Sequence, residues 1–237
     1  MSKSLFYKGV KDGIPICVGY LSVAFAFGIF AVGSGLTGFE AVLISMANVT
    51  SAGQLAGVPI IAACGSLIEL AVTQLVINLR YALMSVSMSQ KLSKNVKLRD
   101  RFLIAFVNTD EVFAVTASSP AKVEREYMFG LILTPYIGWS VGTILGVIAG
   151  DVLPSVVISA LGIAIYAMFV AIVIPQTKKS RPCALCVLVA IILGCIFKYV
   201  PVLNTVSSGF VIIICSVAAS ALFAVLMPIE DAKEGQS

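Results

Sequence analysis

Apolar residues gather along the chain in eight runs, at roughly 14–34, 41–63, 65–88, 102–118, 128–150, 155–175, 183–200 and 204–228, set apart by short polar connections. A helix that crosses hydrocarbon needs about 20 residues at about 1.5 Å each. Six of the runs meet that requirement as simple spans. The other two are interrupted: 102–118 carries Asn108, Asp110 and Glu111 near its middle, and 41–63 contains the polar stretch from Asn48 to Gln54. The pattern therefore predicts an all-α polytopic membrane protein, with about six full transmembrane helices plus two broken or re-entrant segments, 41–63 and 102–118. These form one integral membrane domain over 1–237.

Basic residues test the count, because cytoplasmic loops collect Lys and Arg. Lys3, Lys8 and Lys11 precede the first span. Lys91, Lys94, Lys97, Arg99 and Arg101 form a second cluster, Lys122 and Arg125 a third, and Lys178, Lys179 and Arg181 a fourth. The connections 35–40 and 151–154 contain Glu40 and Asp151 and no base. If every basic cluster lies on one side, the chain crosses an odd number of times between 35–40 and 91, and an even number between 91 and 125. Eight simple spans break that rule. Six satisfy it if 41–63 enters and returns on the outer side and 102–118 does so on the inner side. Both termini are then cytoplasmic, and the first run, long and without a small-residue cleavage site, reads as a retained span. Tyr20 and Pro59 recur as Tyr136 and Pro175 at a constant offset of 116 residues. That echo predicts a weak internal repeat of 14–63 with 128–175, and carriers commonly bind substrate between such halves.

Composition agrees with lipid as the main solvent. The chain is 59% hydrophobic and 12% charged, against roughly 45–50% and about 25% in soluble domains. There is no His, which excludes imidazole proton shuttles, Ser-His-Asp triads and His-based zinc sites. Among the six Cys, Cys183 and Cys186 alone have C-x-x-C spacing, at the start of an apolar helix. They read as packing residues, and no metal or cofactor is expected.

Polar residues inside the runs are costly, so they carry the functional reading: one charge in hydrocarbon costs at least about 2.5 kcal/mol. Glu69, Thr73 and Arg80 share one narrow face of a helix over 65–88, which predicts a polar pathway or proton-coupling lining. Asp110 and Glu111 point about 100° apart on a helix and so cannot be a dyad sharing one proton. One of them is expected to face the site while the other pairs with a base such as Arg80 or Arg101. Either suits proton carriage or an ammonium group. Ser51, Ala52, Gly53 and Gln54 fit a helix restart whose free N–H groups attract a carboxylate, with Asn78 as a further substrate-binding candidate. Gly138, Gly142, Gly146 and Gly150 recur every fourth residue around Trp139, a ridge for close helix packing. The cluster from Lys91 to Arg101 suits anionic lipid.

Short motifs carry a resemblance. They are Gly13-Ile14-Pro15 with Gly19-Tyr20, Ser51-Ala52-Gly53-Gln54, Asn78-Leu79-Arg80-Tyr81 followed by Ser85 and Ser87, and Thr109-Asp110-Glu111-Val112-Phe113. In order and spacing the chain resembles the AzlC family, the large subunits of bacterial branched-chain amino-acid exporters. It departs from the family pattern at Tyr81, where His is expected, and at Leu55, where an aromatic is common. The resemblance implies a permease of the bacterial inner membrane that exports valine, leucine or isoleucine and works with a small AzlD-like membrane subunit.

The resulting expectation is a secondary transporter, not an enzyme, cycling by alternating access around the two breaks. In it the substrate carboxylate meets Ser51–Gln54, the ammonium lies near Asp110 or Glu111, and the aliphatic side chain sits among residues such as Val112 and Phe113. Proton coupling is expected through Asp110 or Glu69. An uptake carrier or channel for another small solute would show the same polar breaks, and a non-transporting scaffold subunit is the remaining alternative.

Overall fold

The computed structural model describes residues 3–152 and 180–227, together with positions 170, 173–175 and 177–178. They fall into two units divided at 166/167. In the first, α1 (Lys3–Gly33) is followed by α2 (Gly38–Ala47), α3 (Ala52–Ala62), α4 (Leu67–Lys91), α5 (Leu98–Phe106), α6 (Asp110–Ala117) and α7 (Arg125–Val152). The second contains α8 (Arg181–Tyr199), a short 3-10 turn and α9 (Ser208–Leu226), with Cys183 and Cys186 lining a groove between the two helices. Among the described residues five helices, α1, α4, α7, α8 and α9, are long and apolar enough to cross a membrane. The sixth expected span, 155–175, lies almost wholly outside the described residues, and so does the later part of the proposed repeat's second half, 128–175, of which 128–152 are described within α7. An all-α polytopic membrane fold is what these elements form.

Helices α1 and α7 run parallel and pack along their whole lengths, and glycine is the reason they approach so closely. A Cβ at Gly138, Gly142 or Gly146 would run into the backbone of Cys17, Leu21 or Phe25 respectively, and one at Gly9 or Gly28 would strike the backbone of α7. Gly150 is looser, with its nearest neighbours at 3.6–3.7 Å from such a Cβ. Small residues let backbones meet where burying apolar surface gains nothing over lipid. Trp139 fills the centre, 1% exposed, edge-on to Tyr20 at 5.1 Å between ring centroids.

The parallel pair brings Lys3–Lys11 and Lys122–Arg125 to one end. Helix α4 runs back to that end: Ser93 N–H donates to the Val123 carbonyl at 3.0 Å, and Lys91 Nζ donates to the Ser119 carbonyl at 3.1 Å. Arg125 pairs with Asp100 at 2.9 Å, and the Tyr127 hydroxyl donates to Asp12 at 2.7 Å. Three basic clusters therefore share one end of the unit, as the crossing rule requires.

The two interrupted runs are hairpins that enter from opposite ends. Gly35, at φ +95°, turns α1 into α2. Thr37 and Glu40 then exchange capping hydrogen bonds, with Thr37 N–H donating to the Glu40 carboxylate at 2.8 Å. Down α2, Gly38 abuts Val147 and Ser45 shares a 2.5 Å hydrogen bond with Thr143. At the foot of α2 the Met46 carbonyl accepts from the Tyr136 hydroxyl at 3.1 Å. After the break at 48–51, α3 climbs back: Gly53 lies by Gln74 and Asn78, Gly57 by Gln74 and Leu70, and Gly65 by Glu69. Helices α5 and α6 do the same from the basic end. Asp100 and Arg101 sit beside Arg125 and Ser89, and Phe106 reaches the Tyr136 ring at 6.0 Å. Past the break at 107–109, α6 descends until Thr116 meets Met128.

Candidate functional site at the hairpin tips

The tips of the two hairpins meet midway along α1 and α7. Val49 of the first tip and Val107 of the second belong to one buried cluster with Tyr20, Val112, Ile132 and Trp139, and Tyr136 touches the helix leading into each tip. Each tip pairs the C-terminal end of one short helix with the N-terminal end of the next. Both N-terminal ends lack a side-chain cap, since neither Ser51 nor Thr109 bonds the turn that it begins. A helix N-terminus carries about half a positive charge, so two positive ends lie at the centre of the unit.

The first tip is built from neutral groups. Gln74 Nε2 donates to the Gly53 carbonyl at 2.7 Å, and Gln74 Oε1 accepts from Asn78 at 3.1 Å and from Asn48 at 3.4 Å. The Thr50 hydroxyl donates to Asn48 Oδ1 at 2.9 Å. Ser51 adopts φ 41°, ψ −77°, a strained conformation for a residue with a side chain. In the first turn of α3, Gln54 is 1% exposed and neither of its side-chain amide atoms has a protein partner. The Oδ1 atom of Asn78 is in the same position. Buried polar atoms left without a bond cost about 1–3 kcal/mol each. Gln54 Nε2 and the uncapped N–H groups are donors suited to a carboxylate, whereas Gln54 Oε1 and Asn78 Oδ1 are acceptors.

The second tip is charged. Asp110, in the first turn of α6, pairs with Arg80, whose guanidinium also donates to the Tyr81 hydroxyl at 3.1 Å and lies 4.7 Å from the Tyr81 ring centroid. The Arg80 and Asp110 side chains are 47% and 48% exposed, so the pair stands open on one side. Glu111 accepts a hydrogen bond from the hydroxyl of Tyr20, which is itself 7% exposed. At the base of the tip Asn108 donates to Ser85 at 3.0 Å.

Among the sequence candidates, Ser51, Ala52, Gly53, Gln54 and Asn78 come together at the first tip, and Arg80, Asp110 and Glu111 at the second. Glu69 and Thr73 share a helix face with Arg80 but not its surroundings: eleven residues separate Glu69 from Arg80, about 16 Å of helix rise. Glu69 lies in the first turn of α4 near Gly65. Gly138, Gly142, Gly146 and Gly150 lie on the face of α7 toward α1, away from both tips. Val112 is fully buried in the core, so it packs the unit instead of lining a site. The apolar space beside the second tip is an open groove of about 310 Å³ that runs from Phe106, Val107 and Tyr136 past Ile132 and Leu133 to Phe6, with Phe106 and Leu133 exposed. Gln74 is the site residue that charge alone does not single out. Its signal is a polar stripe, Gln74, Asn78, Tyr81 and Ser85, within about 60° on α4, and all four meet one tip or the other.

Residues 15–153 match the family profile described as AzlC protein, a stretch that spans both hairpins. The chain belongs to the AzlC family of membrane proteins. It is 39% identical over 181 residues to an uncharacterized membrane protein of Archaeoglobus fulgidus, covering 75% of this chain and 79% of that one. It is 30% identical over 195 residues to the inner membrane protein YgaZ of Escherichia coli, covering 79% and 78%. A membrane protein of Helicobacter pylori is 29% identical over 153 residues, covering 62% and 66%. No solved structure gives a significant match.

Proposed function

We propose that the protein is a secondary transporter subunit that exports branched-chain amino acids from the cytoplasm, coupled to protons and acting with a small AzlD-like membrane subunit. The observation that carries this reading is the meeting of two half-membrane hairpins around a neutral tip with an uncapped helix end and a charged tip. A zwitterion needs both. Its carboxylate suits the α3 end at Ser51–Gln54, its ammonium the carboxylates on α6, and a branched aliphatic side chain the open apolar groove beside Val107. The charges of the second tip, open on one side in a segment surrounded by hydrocarbon, are consistent with an aqueous path. The name of the Escherichia coli relative supports the inner membrane as the location. The three basic clusters at one end of the first unit support a cytoplasmic placing of that end.

The test is efflux. Cells loaded with dipeptides of valine, leucine and isoleucine are expected to release the free amino acids faster when this chain and the small subunit are expressed together than with either alone. Uptake in place of release, with the same dependence on the hairpin tips, would make the protein an importer. Equal release with the small subunit alone would leave this chain a scaffold.

A further inference from the structure

The two adjacent carboxylates at the second tip have unlike partners. Asp110 faces a permanent cation, the Arg80 guanidinium, whereas Glu111 faces a neutral hydroxyl, that of Tyr20. Helix α6 packs against α4 and α1. The titratable and charged groups that these helices bring to Glu111 are Arg80 and Tyr81 from α4 and Tyr20 from α1, with Asp110 beside it on α6. The formal charges are one positive and two negative. Arg80 and Asp110 cancel, so the cluster carries a single negative charge while Glu111 is ionised and becomes neutral only when Glu111 gains a cation. Glu111 is itself exposed on the surface of the unit, and in a segment surrounded by hydrocarbon that neutrality is valuable.

Two cations are available to a transporter of zwitterions: a proton and the substrate's own ammonium. We propose that Glu111 is the group on which the two exclude one another, with Asp110 held out of the exchange by Arg80. The inference rests on the transport reading above and assigns its coupling residue. When the ammonium leaves, a proton bonds to a Glu111 carboxylate oxygen. When the ammonium arrives, that O–H bond breaks and the proton leaves to water. In both occupied states the cluster is neutral, the substrate's carboxylate being met separately by the positive end of α3, and the negative state between them is the costly one. Release of substrate on the outer side is thereby tied to proton uptake there, and the return step delivers the proton inward. Glu111 thus performs the coupling that the sequence placed on Asp110 or Glu69.

The experiment uses the full chain reconstituted in liposomes with the small subunit, and measures L-leucine binding from pH 5 to pH 8. Wild-type protein is expected to lose affinity about tenfold per pH unit on the acid side, the slope of one competing proton. Glu111→Gln is expected to bind more weakly and independently of pH. The double variant Arg80→Gln with Asp110→Asn removes the ion pair without changing net charge and is expected to keep the pH slope. Asp110→Asn alone frees Arg80 to neutralise Glu111 and is expected to flatten it. A slope that survives in Glu111→Gln, or disappears in the double variant, overturns the proposal. Infrared pH titration without substrate keeps the two readings apart. A protonated-carboxyl band that titrates in wild type and the double variant, and is missing from Glu111→Gln, supports the Glu111 assignment even if leucine is not the ligand. The same band persisting in Glu111→Gln sinks it, whatever is transported.

Discussion

The two hairpins are built to one plan and filled with opposite chemistry. Each runs half the depth of the unit, breaks over three or four residues and restarts on an uncapped helix end. At the tip of α2–α3 everything is an amide, a hydroxyl or a carbonyl, and the positive helix end is uncompensated. At the tip of α5–α6 the helix end already carries two acids, and a guanidinium stands opposite. The lesson is that one backbone device can be lined with neutral dipoles at one tip and with fixed charges at the other.

The sharpest way to break that contrast is to unbalance the charged tip. Arg80→Ala leaves Asp110 without its counter-charge at a depth where an unpaired charge is costly, though partly screened because the pair is half exposed. Thermal unfolding in detergent is expected to show it, with efflux falling at least about tenfold. Adding Asp110→Asn to the same chain should restore most of the stability, and an Arg80→Ala protein as stable as wild type would mean that the pair faces bulk water.

At the neutral tip the matching change is Gln74→Leu, which removes the bonds to Gly53, Asn78 and Asn48 and costs about 2 kcal/mol. Leucine binding is expected to weaken while its pH slope stays unaltered. A changed slope would show that the tips do not divide the work by charge. The helix restarts offer a finer comparison. Ser51→Gly relieves a positive φ and should raise the melting temperature by the equivalent of about 1 kcal/mol. Thr109→Gly, at a φ of −96° that any residue accepts, should lower it slightly. Smallest of all is Tyr136→Phe, which deletes one hydrogen bond to the Met46 carbonyl and is expected to cost about 1 kcal/mol or less, read as faster hydrogen exchange at the foot of α2.

The hairpins were legible in the sequence because two independent signals agreed: polar residues inside apolar runs, and a count of crossings fixed by basic clusters. The spacing of Gly138, Gly142 and Gly146 announced a close helix approach but not its partner, since a smooth ridge says only that something comes near. Arg80, Asp110 and Glu111 stood out by their charge. The unlike partners of Asp110 and Glu111 did not, because one of them, Tyr20, lies 91 residues away from Glu111. Weighting by charge also favoured the face of Glu69, Thr73 and Arg80 on α4 over the neutral stripe from Gln74 to Ser85, and it is the stripe that follows both tips.

The glycine-to-backbone match between α1 and α7 has a consequence for synthesis. Equivalent contact positions such as Leu21 and Gly142 lie 121 residues apart, so α1 leaves the ribosome about ten seconds before its partner at ordinary translation speeds. Through that interval neither hairpin is long enough to span the bilayer alone, and the wall that α7 supplies to α2 and α5 does not yet exist. Assembly of the first unit is thus decided at one late moment, the arrival of α7, and chains halted before it should be cleared by quality control instead of accumulating half-built in the membrane.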